Sequence, residues 1–224
     1  MIPLLLAAAA ASGGAAEFLA AYPGASVILT GDGTRITHAS GFEAPSSGST
    51  PAAAALAFLG KHHAAFGIGK RQHLQARSHP RAGQPASIHV ERRIDGLPVF
   101  DGDLVVGVNG AGAVTLVNGT DVPEKIGGKV HVTRQAAIAA AQAAIPDLQT
   151  SDSPKATRGW RAAGKAVIPV WRVDFAASRP SGDFRTYVSA DTGKVLQRTN
   201  LRSTARPPGV APAKPDLQAE PQKK

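Results

Sequence analysis

Between Ser87 and Asn118 hydrophobic and polar positions fall into a pattern that predicts strands. Ile88, Val90 and Ile94 share one side of an extended segment, and His89, Glu91 and Arg93 take the other. Asp95-Gly96 follows as a tight turn, because Gly accepts a positive φ and Asp can bond its own backbone. Leu97 to Phe100 and Leu104 to Val108 form the next extended run, Asn109-Gly110-Ala111-Gly112 turns the chain again, and Ala113 to Val117 reads as a third strand. Asp101 and Asp103 flank Gly102, where a turn or bulge is expected. The result is an antiparallel meander with one apolar face that needs a cover.

The cover comes from a helical pattern just upstream. Thr50 can cap free N–H groups and Pro51 is tolerated at the first helical position. Ala52, Leu56, Leu59, His63 and Phe66 then recur at helical spacing, so a helix is predicted from Pro51 to Phe66 with Gly67 as its stop. A second helix, Arg134 to Ile145, is capped by Thr133 and ended by Pro146, with Ile138, Ala141 and Ile145 on one stripe. Strand-like segments follow at Thr157–Ala162, Ala166–Phe175 and Phe184–Ala190; Asp191-Thr192-Gly193-Lys194 turns into a last strand beginning at Val195. Pro169 inside one of them predicts an edge strand or a bulge. Helix then strands, twice over, predicts an α+β fold of two tandem units, each a helix packed on an antiparallel sheet.

The remaining stretches divide the chain. Residues 1–16 carry a short apolar run with small residues after it, Ala9-Ala10-Ala11 and Gly14-Ala15-Ala16, which fits an export signal lacking its basic n-region. Residues 17–49 turn to Gly, Ser, Thr and Pro and read as an extension or linker, with a short strand at Ser26–Leu29. Units of 50–122 and 130–200 follow. Residues 201–224 are rich in Pro, Ala, Lys and Gln and read as a disordered basic tail. No stretch is long and apolar enough to span a bilayer as a helix.

Composition narrows function by exclusion. The chain of 224 residues has a formal net charge of +9, but its Lys and Arg are scattered and no run makes a dedicated nucleic-acid arm. It has no cysteine, so disulfides, thiolate catalysis and Cys-held metals are excluded. His62-His63 point about 100° apart on a helix and cannot readily share an ion. The other histidines, at 38, 73, 79, 89 and 131, lack metal-ligand spacing, so packed or solvated side chains are expected. There is no His-Glu-x-x-His and no Gly-x-Ser-x-Gly. The residues therefore point to no enzyme, no cofactor and no metal.

A resemblance does emerge from the meander. Gly96, Pro98, Val99 and Phe100, then Gly102 to Val106, then Asn109-Gly110 and Asn118-Gly119, follow the order of the propeptide (FTP) domain of fungalysin- and thermolysin-like zinc metalloproteases. Downstream, the Ala-rich second helix, Trp171 after Pro169, and Tyr187-Val188-Ser189-Ala190-Asp191-Thr192-Gly193-Lys194-Val195 resemble a PepSY domain. The resemblance implies a cystatin-like fold for each half. It implies an intramolecular chaperone and inhibitor of a secreted zinc metalloprotease, placed in the periplasm or outside the cell, with the protease as protein partner. It leaves open whether the chain acts in trans or as a fragment of a precursor. A stand-alone extracytoplasmic PepSY-type binding module with another target is the competing expectation. The basic stretch around Arg198, Arg202 and Arg206 is the expected protease-contacting tail, lying in a cleft as an extended peptide.

Overall fold

The computed structural model describes residues 13–78 and 83–202. The first part of the chain runs α1 (Gly14–Ala21), β1 (Ser26–Leu29), β2 (Ile36–Ser40), α2 (Pro51–Lys61), β3 (Gln72–Ala76), β4 (Ala86–Ile94), β5 (Leu97–Phe100), β6 (Leu104–Val108) and β7 (Val114–Gly119). The second runs α3 (Arg134–Ala143), β8 (Gln149–Thr150), β9 (Lys155–Ala163), β10 (Ala166–Arg179), β11 (Gly182–Ser189) and β12 (Val195–Asn200). The architecture is mixed α/β, with few helices and one large sheet in the order β1-β2-β7-β6-β4-β5-β9-β10-β11-β12; β3 adds to β4 and β8 to β10.

Both long helices begin as their caps dictate. The Thr50 hydroxyl accepts from the Ala53 N–H at 3.1 Å and the Thr133 hydroxyl from the Ala136 N–H at 3.2 Å, each satisfying one of the orphan donors of a first turn. α2 lays Ala52, Ala55, Phe58 and Leu59 on the face of β4, β6 and β7 formed by Ile88, Val90, Leu104, Val106 and Val117. α3 lays Ala137 and Ala141 over Val173, Phe175, Phe184 and Val188. Its small side chains let the helix approach the sheet closely.

The meander is built as its pattern predicts. β4 pairs with β6 over Ala86–Val90, and β6 with β7 over Leu104–Gly119. Between β4 and β5 the turn has Asp95 at φ 50° and Gly96 at φ 76°, the two positive values that a tight two-residue hairpin turn requires. β4 serves three neighbours, β3 along one side and β6 then β5 along the other. Its first half pairs with β6, while Arg93 and Ile94 pair with β5, which leads the sheet toward the second unit.

Several expectations are corrected. Residues 17–49 are no linker: α1, β1 and β2 are folded, and β2 pairs with β7. Phe18 explains why. It is fully buried and meets Phe42, Phe58 and Phe66 at ring-centroid distances of 5.3, 6.3 and 5.5 Å. Burying such a side chain is worth about 1.5–3 kcal/mol and helps to hold the eight-residue helix on the core. α2 stops at Lys61, not Phe66, and hydrogen-bonded turns carry the chain to Gly67 at φ 60°. Phe66 is buried nonetheless, whereas His63 is exposed, so the predicted helical face ends early. His62 sits half-buried beside Phe18, Tyr22 and Phe58.

Pro169 also lies elsewhere than expected. It is interior to β10, a strand flanked on both sides, at the point where pairing passes from one neighbour to another. Val167 exchanges hydrogen bonds with Lys125 and Gly127 at 2.8 and 2.9 Å, and the Pro169 carbonyl accepts from the Ala190 N–H at 3.0 Å. The imide nitrogen falls between these two sets, where no ladder donor is needed. Finally, β5 and β9 run parallel, through Val99–Trp160 and Phe100–Arg161, in a sheet expected to be antiparallel throughout.

Candidate functional site

The residues singled out by the sequence separate into three places. Gly96 is in the hairpin turn, exposed. Gly110 and Gly119 are backbone positions of the meander, the latter backed against Leu104. Asp191 and Gly193 form the β11–β12 turn, with Gly193 at φ 74° and its N–H bonded to the Ser189 carbonyl at 3.0 Å. Trp171 donates its indole N–H to the Val132 carbonyl at 2.9 Å, fixing the chain just before the cap of α3. These positions shape the fold.

Pro98, Val99, Phe100 and Tyr187 belong together: they form the seam where β5 of the first part of the chain meets β9 to β11 of the second. β5 and β9 pair across it, and Gly159 makes this possible, because a Cβ there would stand 2.5 Å from Phe100 and 2.7 Å from the Pro98 carbonyl. On one face Ile94, Val99, Val122 and Val167 are buried together, with Ile126 and Trp160 packed against them. The Trp160 indole donates to the Ile94 carbonyl at 3.0 Å. On the other face Phe100, Val170 and Tyr187 form a smaller cluster, the two rings 5.7 Å apart. Gly102, the next family position, backs onto Val99 and Val122.

Charges line the rim. The Asp101 carboxylate accepts from Arg161 Nε at 3.0 Å and from the Tyr187 hydroxyl at 3.2 Å. Arg161 lies over the Tyr187 ring at 4.4 Å and Arg172 over the Phe100 ring at 4.8 Å, two cation–π contacts. Burial, with Asp101 adding to it, pushes the Tyr187 phenol up, so it remains a donor at neutral pH. A cleft of about 370 Å³ opens beside the seam. In it Glu91 is shared by Arg77 and by Arg93 at 3.1 Å, and two more of its lining residues, Arg172 and Arg185, pair with the neighbouring Asp174 at 2.9 and 2.7 Å. Partial burial, then Glu91, pushes the Asp103 carboxyl up, and the bond to Asp174 raises the Arg185 guanidinium. Opposite charges answer one another here. No three His, Asp or Glu side chains among the described residues come together as a metal-ligand set.

The expected tail lies differently. Arg198 is inside β12, opposite Thr186 of β11, and its guanidinium reaches the Ala144 carbonyl at the end of α3. Arg202 pairs with Asp183 at 2.5 Å, and Arg206 lies outside the described residues. β12 is the last strand of the sheet among the described residues, and Leu196 within it and Leu201 just after it are exposed.

Sequence reasoning missed Arg92, Trp160, Arg161 and Arg172, and read Asp101 only as a turn or bulge residue. Arg92 had a signal: it shares the parity of Ile88, Val90 and Ile94, so it points to the buried face, where it is 1% exposed. The others act across the two units, and no local pattern announces them.

With this geometry described, comparison with known proteins is informative at one place. The Fungalysin/Thermolysin Propeptide Motif family matches residues 86–120, the span of β4 to β7 that contains the hairpin turn and the first-unit side of the seam. No curated protein matches the chain. Among solved structures, the Bacillus megaterium YpeB C-terminal domain is similar over 78% of this chain and 75% of that one, at 11% identity and a TM-score of 0.37. No helix among the described residues is long and apolar enough to cross a membrane.

Proposed function

We propose that this chain is a non-catalytic propeptide-like protein that assists the folding of, and inhibits, a secreted thermolysin- or fungalysin-like zinc metalloprotease. The observation that carries this reading is the propeptide-motif match over 86–120. In this reading the two halves are tandem cystatin-like units, an FTP unit over 50–122 extended by α1, β1 and β2, and a PepSY-like unit over 130–200. The protease-contacting stretch then begins after β12, at Leu201, and includes Arg202 and Arg206. A basic stretch suits an acidic protease surface and speeds encounter more than it deepens affinity.

The protein is taken to be secreted or periplasmic. Ala15 and Phe18 are fully buried in α1, so cleavage after Ala16 would break a packed helix, whereas cleavage after Ala11 leaves it whole. Mass spectrometry of the exported protein is expected to find Ser12 as its first residue; an intact N-terminus on protein recovered from the cytosol refutes export.

The test of function is direct. Purified protein is titrated into thermolysin- and fungalysin-like enzymes while cleavage of a fluorogenic peptide is followed, and the denatured enzymes are refolded with and without it. Slowed cleavage together with a higher refolding yield is expected for a cognate enzyme. If no enzyme responds, including the product of any neighbouring gene encoding His-Glu-x-x-His, the reading fails. Because α3 to β12 lies outside the matched span, a PepSY-type module with another target is then the reading that stands.

A further inference from the structure

We propose that the segment Pro98–Asp101 couples the two units and that Asp101 is a positioning residue: it pins the second unit in one orientation on the first. The coupling needs no assumption about function; its consequence for inhibition rests on the propeptide reading. The matched motif is thereby spent inside the molecule, and contact with a partner falls to other surfaces.

Asp101 sits at φ 59°, a conformation that non-glycine residues adopt uncommonly and that Asp tolerates better than most. Both of its oxygens are engaged, and both partners come from the other unit, 60 and 86 residues further along the chain. One partner extends the connection. Arg161 gives Nε to Asp101, rests its plane on Tyr187, and offers its other arm to Gln197 of β12. A continuous line of contacts thus runs from the β5 turn through β9 and β11 to the open edge strand. On the same face Arg172, the cross-strand partner of Tyr187, stacks on Phe100 and adds a second hold beside the turn.

Magnitudes decide what this arrangement is for. The Asp101 side chain is 55% exposed, and an ion pair that wet adds little to stability. The buried seam clusters and the β5–β9 pairing supply the adhesion. A two-point bond from one carboxylate adds direction: it resists rotation of the second unit about the narrow parallel pair, which alone spans only Val99 and Phe100. Asp101 therefore sets orientation, and loss of its carboxylate is felt in the relative motion of the units and not in their separate folds.

The experiment uses the full chain, with Asp101→Ala and Tyr187→Phe as perturbations and Asp101→Asn as the conservative rescue. Backbone residual dipolar couplings are measured for α2 with β6–β7 and for α3 with β10–β11. In the native protein one alignment tensor is expected to fit both units. In Asp101→Ala the tensor of one unit is expected to differ from the other in orientation or magnitude, while amide shifts within each core stay in place and the melting temperature moves by about 3 °C or less. Asp101→Asn keeps one acceptor oxygen for Arg161 and replaces the other with an amide N–H that the Tyr187 hydroxyl can accept, so it is expected to restore part of the shared alignment. A single unchanged tensor in Asp101→Ala overturns the proposal. So does a collapse of melting temperature with lost dispersion in both cores, which marks an ordinary stability role. If the propeptide reading holds, Asp101→Ala also weakens inhibition several-fold. A native chain that inhibits no metalloprotease refutes that reading and leaves the alignment result untouched.

Discussion

Arg92 is the residue whose replacement tests the structural reasoning most sharply. It stands on β4 among Ile88, Val90 and Ile94 and is 1% exposed. One arm of its guanidinium donates to the Gly67 carbonyl and to the Gln72 amide oxygen, both at 3.1 Å; the other donates to the Phe66 carbonyl at 3.0 Å and reaches toward Thr120 at 3.4 Å. The two carbonyls belong to the turn that follows α2, so Arg92 clamps the exit of that helix to the sheet beneath it. Burial drives its pKa down from 12.5 to about 10, a penalty of roughly 3 kcal/mol that the charge pays while remaining protonated at neutral pH. Arg92→Met keeps length and apolar stem and removes every donor. Three buried acceptors then lose their partner at about 2 kcal/mol each, and the recovered desolvation offsets roughly half of that. The expected net loss is about 3 kcal/mol, or a fall of about 6–12 °C in melting temperature for a chain of this size. Thermal unfolding by circular dichroism, supported by urea titration, measures it. Arg93→Met is the control: Arg93 is one residue along on the wet side, and the expected change is about 1 kcal/mol or less. An Arg92→Met protein as stable as the native one, or more so, refutes the clamp and shows that the carbonyls find other donors.

Gly96→Val is expected to cost about 1–3 kcal/mol from backbone strain alone, because Gly96 has φ 76° and its Cβ would meet nothing within 4 Å; an unchanged urea midpoint refutes the turn assignment. Thr186→Val is expected to stabilise. Thr186 is fully buried between Phe184 and Val188 on the face beneath α3, and its hydroxyl has no hydrogen-bond partner among the described residues, so an isosteric methyl is worth about 1 kcal/mol. A lower melting temperature would show that the hydroxyl is bonded. His62 gives a pH dependence. Burial among Phe18, Tyr22 and Phe58, then Lys61, holds its pKa below 6.5 in the folded chain, so the unfolded chain takes up the proton first. Its contribution is complete above pH 6.5 and is lost as pH falls from there through the folded value. His62→Phe is expected to flatten the drop in urea midpoint between pH 7.5 and 5.5; an identical slope in both proteins refutes the assignment.

The sequence alone determined the parts that depend on neighbours within a few positions. The alternation of Ile88, Val90 and Ile94, the Asp95-Gly96 turn, and the capping hydroxyls of Thr50 and Thr133 are legible because strand period, turn strain and orphan N–H groups are local physics. The motif of Gly96 to Gly119 was legible only through its resemblance to the propeptide family. Residues 14–40 were legible only in part: the strand Ser26–Leu29 was, but α1 has too few residues to show a period, and Phe18 owes its place to Phe42, Phe58 and Phe66, which lie far along the chain. Arg198 read as tail because nothing local distinguishes an exposed edge strand from an unpaired segment, and its partner strand decides the matter. Arg92 could have been read from parity, but a charge on an apolar face is admissible only if acceptors wait for it, and those were the carbonyls of a turn that tertiary packing delivers. The seam is the extreme case. Asp101, Arg161 and Tyr187 are unremarkable where they stand, and only the crossing of β5 with β9 brings their charges within bonding distance. Pairing across such separations is a property of the folded arrangement, since the spacing of the residues along the chain carries no term for it.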